Sequence, residues 1–249
     1  MYNLYRKSEL WFSLLNIFLY VLLMSLADEI SRILGLSKVV TVPVSIIMTV
    51  FIVVFLCKNK LTNNYGLCKS PFNAKYFLYF IPLAVIVSIN FWFGVSSFVF
   101  NTTTVLFFVS MLFVGFLEEV IFRGFLFKAL LPLGKKMAII ISSVSFGLGH
   151  IINLFTSAGV GIVSNLCQIL SAIAIGFLFV IIFDRGKTLW PCIITHSLFN
   201  ALSVFYPAVQ GTTEIIISAV ITIISVVYAL VLIKIIPVQS EPQIQETKE

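Results

Sequence analysis

Charged side chains are scarce in this sequence: Asp, Glu, Lys and Arg together make up 10% of its 249 residues, and hydrophobic residues make up 60%. So few charges could not cover the surface of a water-soluble protein of this size. Disorder is excluded as well, because disordered chains combine low hydrophobicity with high charge. The composition therefore predicts an integral membrane protein.

The sequence also lacks an internal repeat, a polar linker between domains and a CxxC pair among its four cysteines. These absences leave no sign of a separate soluble domain or of a cysteine-based metal or redox site. We predict one transmembrane domain over residues 1–249. Its last residues, 238–249, are polar and are predicted to form a short cytoplasmic tail.

Long hydrophobic runs, bounded by charged or turn-forming residues, fill most of the chain. A helix that spans a membrane needs about 20 apolar residues. Eight such runs cover 10–34, 40–57, 76–99, 103–130, 137–154, 159–183, 188–207 and 213–236. The predicted fold is therefore all-α, a polytopic membrane helix bundle of about eight transmembrane helices.

The 16 basic residues alternate between the predicted connections. Most of them lie before the first run or after an even-numbered run, at Arg6, Lys7, Lys58, Lys60, Lys69, Lys75, Lys128, Lys135, Lys136, Arg185, Lys187, Lys234 and Lys248. The other connections hold only Arg32 and Lys38. By the positive-inside rule both termini and the even-numbered connections are cytoplasmic. The net charge of +6 thus reflects topology, and we expect no nucleic-acid partner.

The first run has a second interpretation. Arg6 and Lys7, an apolar stretch and the small residues around Ser25 and Ala27 resemble a cleavable signal peptide. Multispanning proteins usually keep their first helix as an anchor, so we expect it to be retained. Its removal would leave the other seven helices in the same orientation.

Few ionisable side chains lie inside the predicted spans, where a charge is costly and marks a functional candidate. They are Glu118, Glu119 and Arg123 in the fourth run, His150 in the fifth and His196 in the seventh. At about 1.5 Å per residue, Glu118 and the two histidines lie roughly 14 to 21 Å from the flanking lysines, near the middle of the membrane. We therefore predict one site shared by three helices.

Spacing along each helix divides the roles within this site. Glu119 and Arg123 are four residues apart and can form an ion pair. Glu118 points about 100° away from that pair and is left as the candidate general base. His196 and Asn200 share a helix face, from which both could donate hydrogen bonds to an oxyanion.

Three motifs follow one another on successive hydrophobic runs: Glu118-Glu119-Val-Ile-Phe-Arg123 fits EExxxR, Phe146-Gly-Leu-Gly-His150 fits FxxxH, and His196-Ser-Leu-Phe-Asn200 fits HxxxN. Together they resemble the CPBP family of intramembrane proteases, which includes the type II CAAX prenyl endopeptidases and the bacterial Abi or bacteriocin-processing proteins. The resemblance covers residues 113–206. It implies an eight-helix bundle with a water-filled cavity that opens toward the membrane and the cytoplasm.

The resemblance also implies hydrolysis of a peptide bond. By this resemblance, Glu118 and His150 are the residues that activate the attacking water, and His196 and Asn200 are those that stabilise the oxyanion. Glu119 and Arg123 take supporting roles. The family is often described as metalloproteases, which leaves open a zinc ion held by a subset of Glu118, Glu119, His150 and His196. The metal-free reaction explains the same residues, and we prefer it.

The implied substrate is a membrane-associated protein or peptide. It is either a CAAX-type protein or the precursor of a peptide pheromone or bacteriocin, with a peptide exporter as a further partner. The short connections favour a protein of a bacterial plasma membrane. Two other classes stay open: a non-catalytic scaffold or bacteriocin self-immunity protein, and a small proton-coupled transporter, in which a repeat or broken helices would be expected.

Overall fold

The computed structural model describes residues 1–70, 74–95, 100–155, 161–207, 209 and 211–237, and all of its regular structure is helical. This confirms the all-α prediction. The polar tail predicted over 238–249 lies outside the described residues.

Ten α-helices follow one another along the described chain: α1 (Tyr2–Lys7), α2 (Glu9–Ile33), α3 (Thr41–Lys58), α4 (Leu83–Ser88), α5 (Thr102–Glu118), α6 (Phe127–Leu130), α7 (Lys135–Gly149), α8 (Ile162–Gly186), α9 (Trp190–Leu202) and α10 (Thr212–Ile235). Short 3-10 helices adjoin them at Ala74–Phe80, Ile89–Phe91, Leu131–Leu133, His150–Leu154 and Ser203–Phe205. A π-helix over Glu119–Leu126 joins α5 to α6.

Six helical segments of the described chain are long and apolar enough to cross a membrane: Glu9–Ile33, Thr41–Lys58, Thr102–Leu133, Lys135–Leu154, Ile162–Gly186 and Thr212–Ile235. The predicted third and seventh runs hold the shorter apolar helices Tyr76–Phe91 and Trp190–Phe205. The third run departs most from the expectation of one helix over 76–99. Pro82 has no backbone N–H to donate, and it lies between a 3-10 helix and α4.

The helices place the connections at two ends of the bundle. At one end Lys135 pairs with Asp184 at 3.0 Å, and the backbone N–H of Leu189 donates to the carbonyl oxygen of Gly66 at 2.9 Å. We call this the basic end, because its connections, 59–70, 131–134 and 187–189, lie among the lysines and arginines of the even-numbered loops. The opposite end carries the connection 34–40, residues 203–207 and the start of α8.

Helices α5 and α9 approach each other closely at Gly115. A Cβ atom added there would lie 2.6 Å from the backbone N and Cα of Ser197, closer than real contacts allow. The Ser197 hydroxyl donates to the carbonyl oxygen of Leu112 at 2.9 Å. Gly115 thereby fixes α5 against α9 three residues before Glu118 and beside His196.

Gly115→Ala should therefore lower the free energy of unfolding, by about 1–3 kcal/mol as is usual for overpacking. Gly149→Ala is the matched control, because a Cβ atom there would meet nothing within 4 Å. Thermal unfolding of both variants in detergent measures the effect. Wild-type stability of Gly115→Ala would contradict the close approach of α5 and α9.

Candidate active site

The imidazole of His196 bridges two adjacent carboxylates. Its Nδ1 lies 2.7 Å from Oε1 of Glu119, and its Nε2 lies 3.4 Å from Oε2 of Glu118. The two glutamates stand where α5 ends and the π-helix begins, and His196 lies in the middle of α9. π-Helical segments are rare and occur frequently at functional sites. The structure thus brings together three of the residues that the sequence predicted to share one site.

Arg123 and Glu119 form the ion pair predicted from their spacing. Nη1 of Arg123 lies 3.0 Å from Oε1 of Glu119, and both side chains are completely buried. The guanidinium carbon also lies 3.9 Å from the ring centroid of Phe146, an arrangement that favours a cation. A buried charge needs such partners, so this pair fixes the surroundings of His196.

Glu118 has a hydrogen-bond partner that was not predicted from the sequence. The hydroxyl of Tyr20, a buried residue of α2, donates to Oε1 of Glu118 at 2.6 Å. Glu118 is therefore free of Arg123, as predicted, but its two oxygens contact Tyr20 and His196. The only signal in the sequence was depth, because Tyr20 lies roughly 17 Å along α2 from Glu9, near mid-membrane like Glu118.

We expect Tyr20→Phe to lower catalytic turnover by about tenfold to a hundredfold, the usual effect of losing a hydrogen bond to a charged group. The ring would still fill its place in the core, so stability should change little. Tyr2→Phe removes a hydroxyl from an exposed residue of α1 and is the control. Equal rates for the two variants would show that the Tyr20 hydroxyl does not position the carboxylate.

A cavity of about 1150 Å³ adjoins Glu118. Glu118, His150 and Asn200 all line it, so three of the four predicted catalytic residues face one space. The cavity extends to exposed residues of the connection between α2 and α3, such as Ser37. It therefore opens at the opposite end of the bundle.

His150 lies at the carboxyl-terminal end of α7, away from the basic end. It follows the last residue of α7, and its Nδ1 lies 3.2 Å from the carbonyl oxygen of Phe146. If Nδ1 carries the proton, it donates a hydrogen bond to that carbonyl oxygen, and Nε2 is then an acceptor. The carbonyl oxygen of His150 accepts from Nδ2 of Asn165 at 2.9 Å, which ties the residue to α8.

A second cavity, of about 300 Å³, lies behind the first. His196 lines this smaller cavity, whereas His150 and Asn200 line both. The imidazole of His150 and the amide of Asn200 thus belong to the wall that the two cavities share, and the carboxylate of Glu118 lines the larger cavity. Such groups can accept a proton from water and donate hydrogen bonds to an oxyanion.

The four residues considered as zinc ligands do not fit a metal centre as they are arranged. Within the described residues, no three His, Cys, Asp or Glu side chains are grouped so that they could hold a metal ion. Oε1 of Glu119 is engaged by Arg123 and His196, and Nδ1 of His150 lies on a backbone carbonyl. A protein zinc site of the catalytic kind needs about three ligands around one point.

Comparison with known families gives one match. Residues 100–202 match the family model described as Type II CAAX prenyl endopeptidase Rce1-like. These residues include all three motifs and run from before α5 to the end of α9. No curated protein and no solved structure matches the chain.

Proposed function

We propose that this member of the CPBP family of membrane proteases is an intramembrane endopeptidase, which hydrolyses peptide bonds with a water molecule activated by Glu118. Protease activity is the property of the family. The observation that carries the proposal is the contact of a cavity-lining carboxylate, Glu118, with an imidazole that is fixed by a buried ion pair. Transport or packing alone would not need that combination.

The proton on His196 has a defined place in this reaction. Nδ1–H donates to Glu119, so Nε2 is left to share a proton with Oε2 of Glu118. When that proton lies on Nε2, Glu118 is an anion and can act as a base. Tyr20 holds the other carboxylate oxygen and sets its direction.

In the first step, a water molecule in the cavity gives a proton to Glu118 while its oxygen bonds to the substrate's carbonyl carbon. His150, through Nε2, accepts the second hydrogen of that water and orients it. The resulting oxyanion receives hydrogen bonds from the amide of Asn200 and from Nε2–H of His196. Removing one such donor usually lowers turnover by about a hundredfold to a thousandfold.

In the second step, the carbon–nitrogen bond breaks and Glu118 returns its proton to the leaving nitrogen. The products are a new amine and a new carboxylic acid, which releases the second proton of the water to solvent. Glu119 and Arg123 do not touch the substrate in this scheme. They hold His196 in the orientation that the two steps require.

The substrate is a membrane-associated protein or peptide, either of CAAX type or a pheromone or bacteriocin precursor. We place the protein in a bacterial plasma membrane, with a peptide exporter as a partner. The function could be tested with purified protein in lipid nanodiscs, a farnesylated CAAX peptide and a set of leader-containing precursor peptides. Hydrolysis in ¹⁸O-labelled water should add one ¹⁸O atom to each new carboxyl terminus, as read by mass spectrometry. Intact peptides beside folded protein would favour the scaffold or immunity function.

The metal-free reaction predicts that a membrane-permeant chelator leaves the rate of peptide hydrolysis unchanged. Under the proposed scheme Glu118 acts on water directly, so no step depends on a Lewis acid. The measurement is the rate before and after exhaustive chelation, with metal content determined on the same sample. Activity that is lost to the chelator and restored by zinc alone would establish a zinc enzyme instead.

A further inference from the structure

We infer that the cavity beside Glu118 receives its substrate from the extracytoplasmic side of the membrane. This inference rests on the proposed function and selects among its substrates. Two independent observations carry it: the direction in which the cavity opens, and the distribution of basic residues between the ends of the bundle.

The cavity extends from Glu118 to the opposite end of the bundle. Along α2 its wall runs from Tyr20 to Asp28 and continues to Lys38, at the opposite end. Across from α2, the wall is built from His150 and the residues that follow it, such as Asn153. No residue of the described connections at the basic end lines this cavity. A substrate in water thus has a route to Glu118 from the opposite end.

The charges assign that end to the outside. The basic end carries most of the chain's lysines and arginines, whereas the opposite end has Arg32 and Lys38. Even these two are paired, Arg32 with Glu29 and Lys38 with Asp28, the latter at 2.8 Å. Because Lys and Arg near span ends set orientation, the basic end is cytoplasmic and the cavity opens outside. The family resemblance implies an opening toward the membrane and the cytoplasm, whereas this charge distribution favours an opening on the outer side.

The entrance is polar. The ion pair between Asp28 and Lys38 forms one side of it, and a hydrogen bond of 2.9 Å from Asn153 to Gln168 lies on the other. These side chains provide both hydrogen-bond donors and hydrogen-bond acceptors, which match an extended peptide backbone better than a lipid chain. We therefore assign as substrate an exported or membrane-anchored peptide whose scissile bond reaches Glu118 from the outer side of the bilayer. A CAAX carboxyl terminus in the cytoplasm would meet the basic end instead.

Cysteine accessibility tests the orientation without any need for activity. In a background with Cys57, Cys68, Cys167 and Cys192 replaced by alanine, one cysteine is introduced by Ser37→Cys at the entrance or by Asn64→Cys at the basic end. Both side chains are exposed, so they form a matched pair. A membrane-impermeant maleimide should label Ser37→Cys in intact spheroplasts at least tenfold more than Asn64→Cys, and lysis should make the two equal. The reverse pattern would overturn the inference.

Blocking the entrance tests the route. Ser25 lies on the cavity wall, so a bulky maleimide attached to Ser25→Cys from outside should slow peptide hydrolysis at least tenfold. The same reagent on Asn64→Cys in lysed membranes should leave the rate unchanged. Hydrolysis that survives a blocked entrance would overturn the route. Absence of hydrolysis in every unlabelled variant would refute the proposed function, while the labelling pattern would still decide the direction of the opening.

Discussion

Glu118→Gln should reduce peptide hydrolysis by about a hundredfold to ten-thousandfold, the usual loss when a general base is removed. Glutamine has the size of glutamate and can still accept the hydrogen bond from Tyr20, so the site keeps its shape. It cannot take a proton from water at neutral pH. Turnover in nanodiscs, at equal amounts of folded protein, is the quantity to measure.

Glu9→Gln is the control for this variant. Glu9 is an exposed residue in the first turn of α2, at the basic end, and its neutralisation should leave turnover unchanged. Substantial turnover by Glu118→Gln would mean that another group is the base. A cellular phenotype that persists in Glu118→Gln would show that the protein acts in cells as a scaffold or immunity factor.

The second large effect concerns stability. Arg123→Ala leaves Glu119 completely buried without its cation, and breaking a buried pair in this way costs about 3–5 kcal/mol. The substitution also removes the contact between the guanidinium and the ring of Phe146. We expect a lower unfolding temperature in detergent and less protein in the membrane.

The double variant Glu119→Gln with Arg123→Ala separates the charge from the packing. It removes the stranded carboxylate, so part of the lost stability should return. Arg6→Ala, at an exposed position of α1, controls for the loss of an arginine in itself. A double variant no more stable than Arg123→Ala would show that the charge of Glu119 does not need Arg123.

Hydropathy predicted most of the fold, because a helix in a membrane must satisfy its backbone hydrogen bonds within itself. It failed within the predicted run 76–99, of which 76–95 are described, because Pro82 interrupts the helix in a mostly apolar stretch. The π-helix over Glu119–Leu126 was also beyond prediction. Its i to i+5 hydrogen bonds depend on tertiary packing. A π-helical segment therefore has no hydrophobicity pattern or length that distinguishes it in the sequence.

The site was predictable where one helix contains both partners. The spacing of Glu119 and Arg123 fixes their contact, and the structure has it. Contacts between helices were not predictable in the same way. The spacing of His196 and Asn200 predicts a shared helix face, but it gave no sign of the contact between Nδ1 of His196 and Glu119.

The hydrogen bond from Tyr20 to Glu118 joins residues 98 positions apart and so has a consequence for biogenesis. During synthesis α2 enters the bilayer before α5, so the hydrogen bond cannot form until α5 has been inserted. Removal of the first helix after Ala27, as in a cleaved signal peptide, would discard Tyr20 and leave Glu118 without its donor. The segment that matches the family, 100–202, likewise lacks it. Maturation of this protein is therefore expected to depend on the retention of α2.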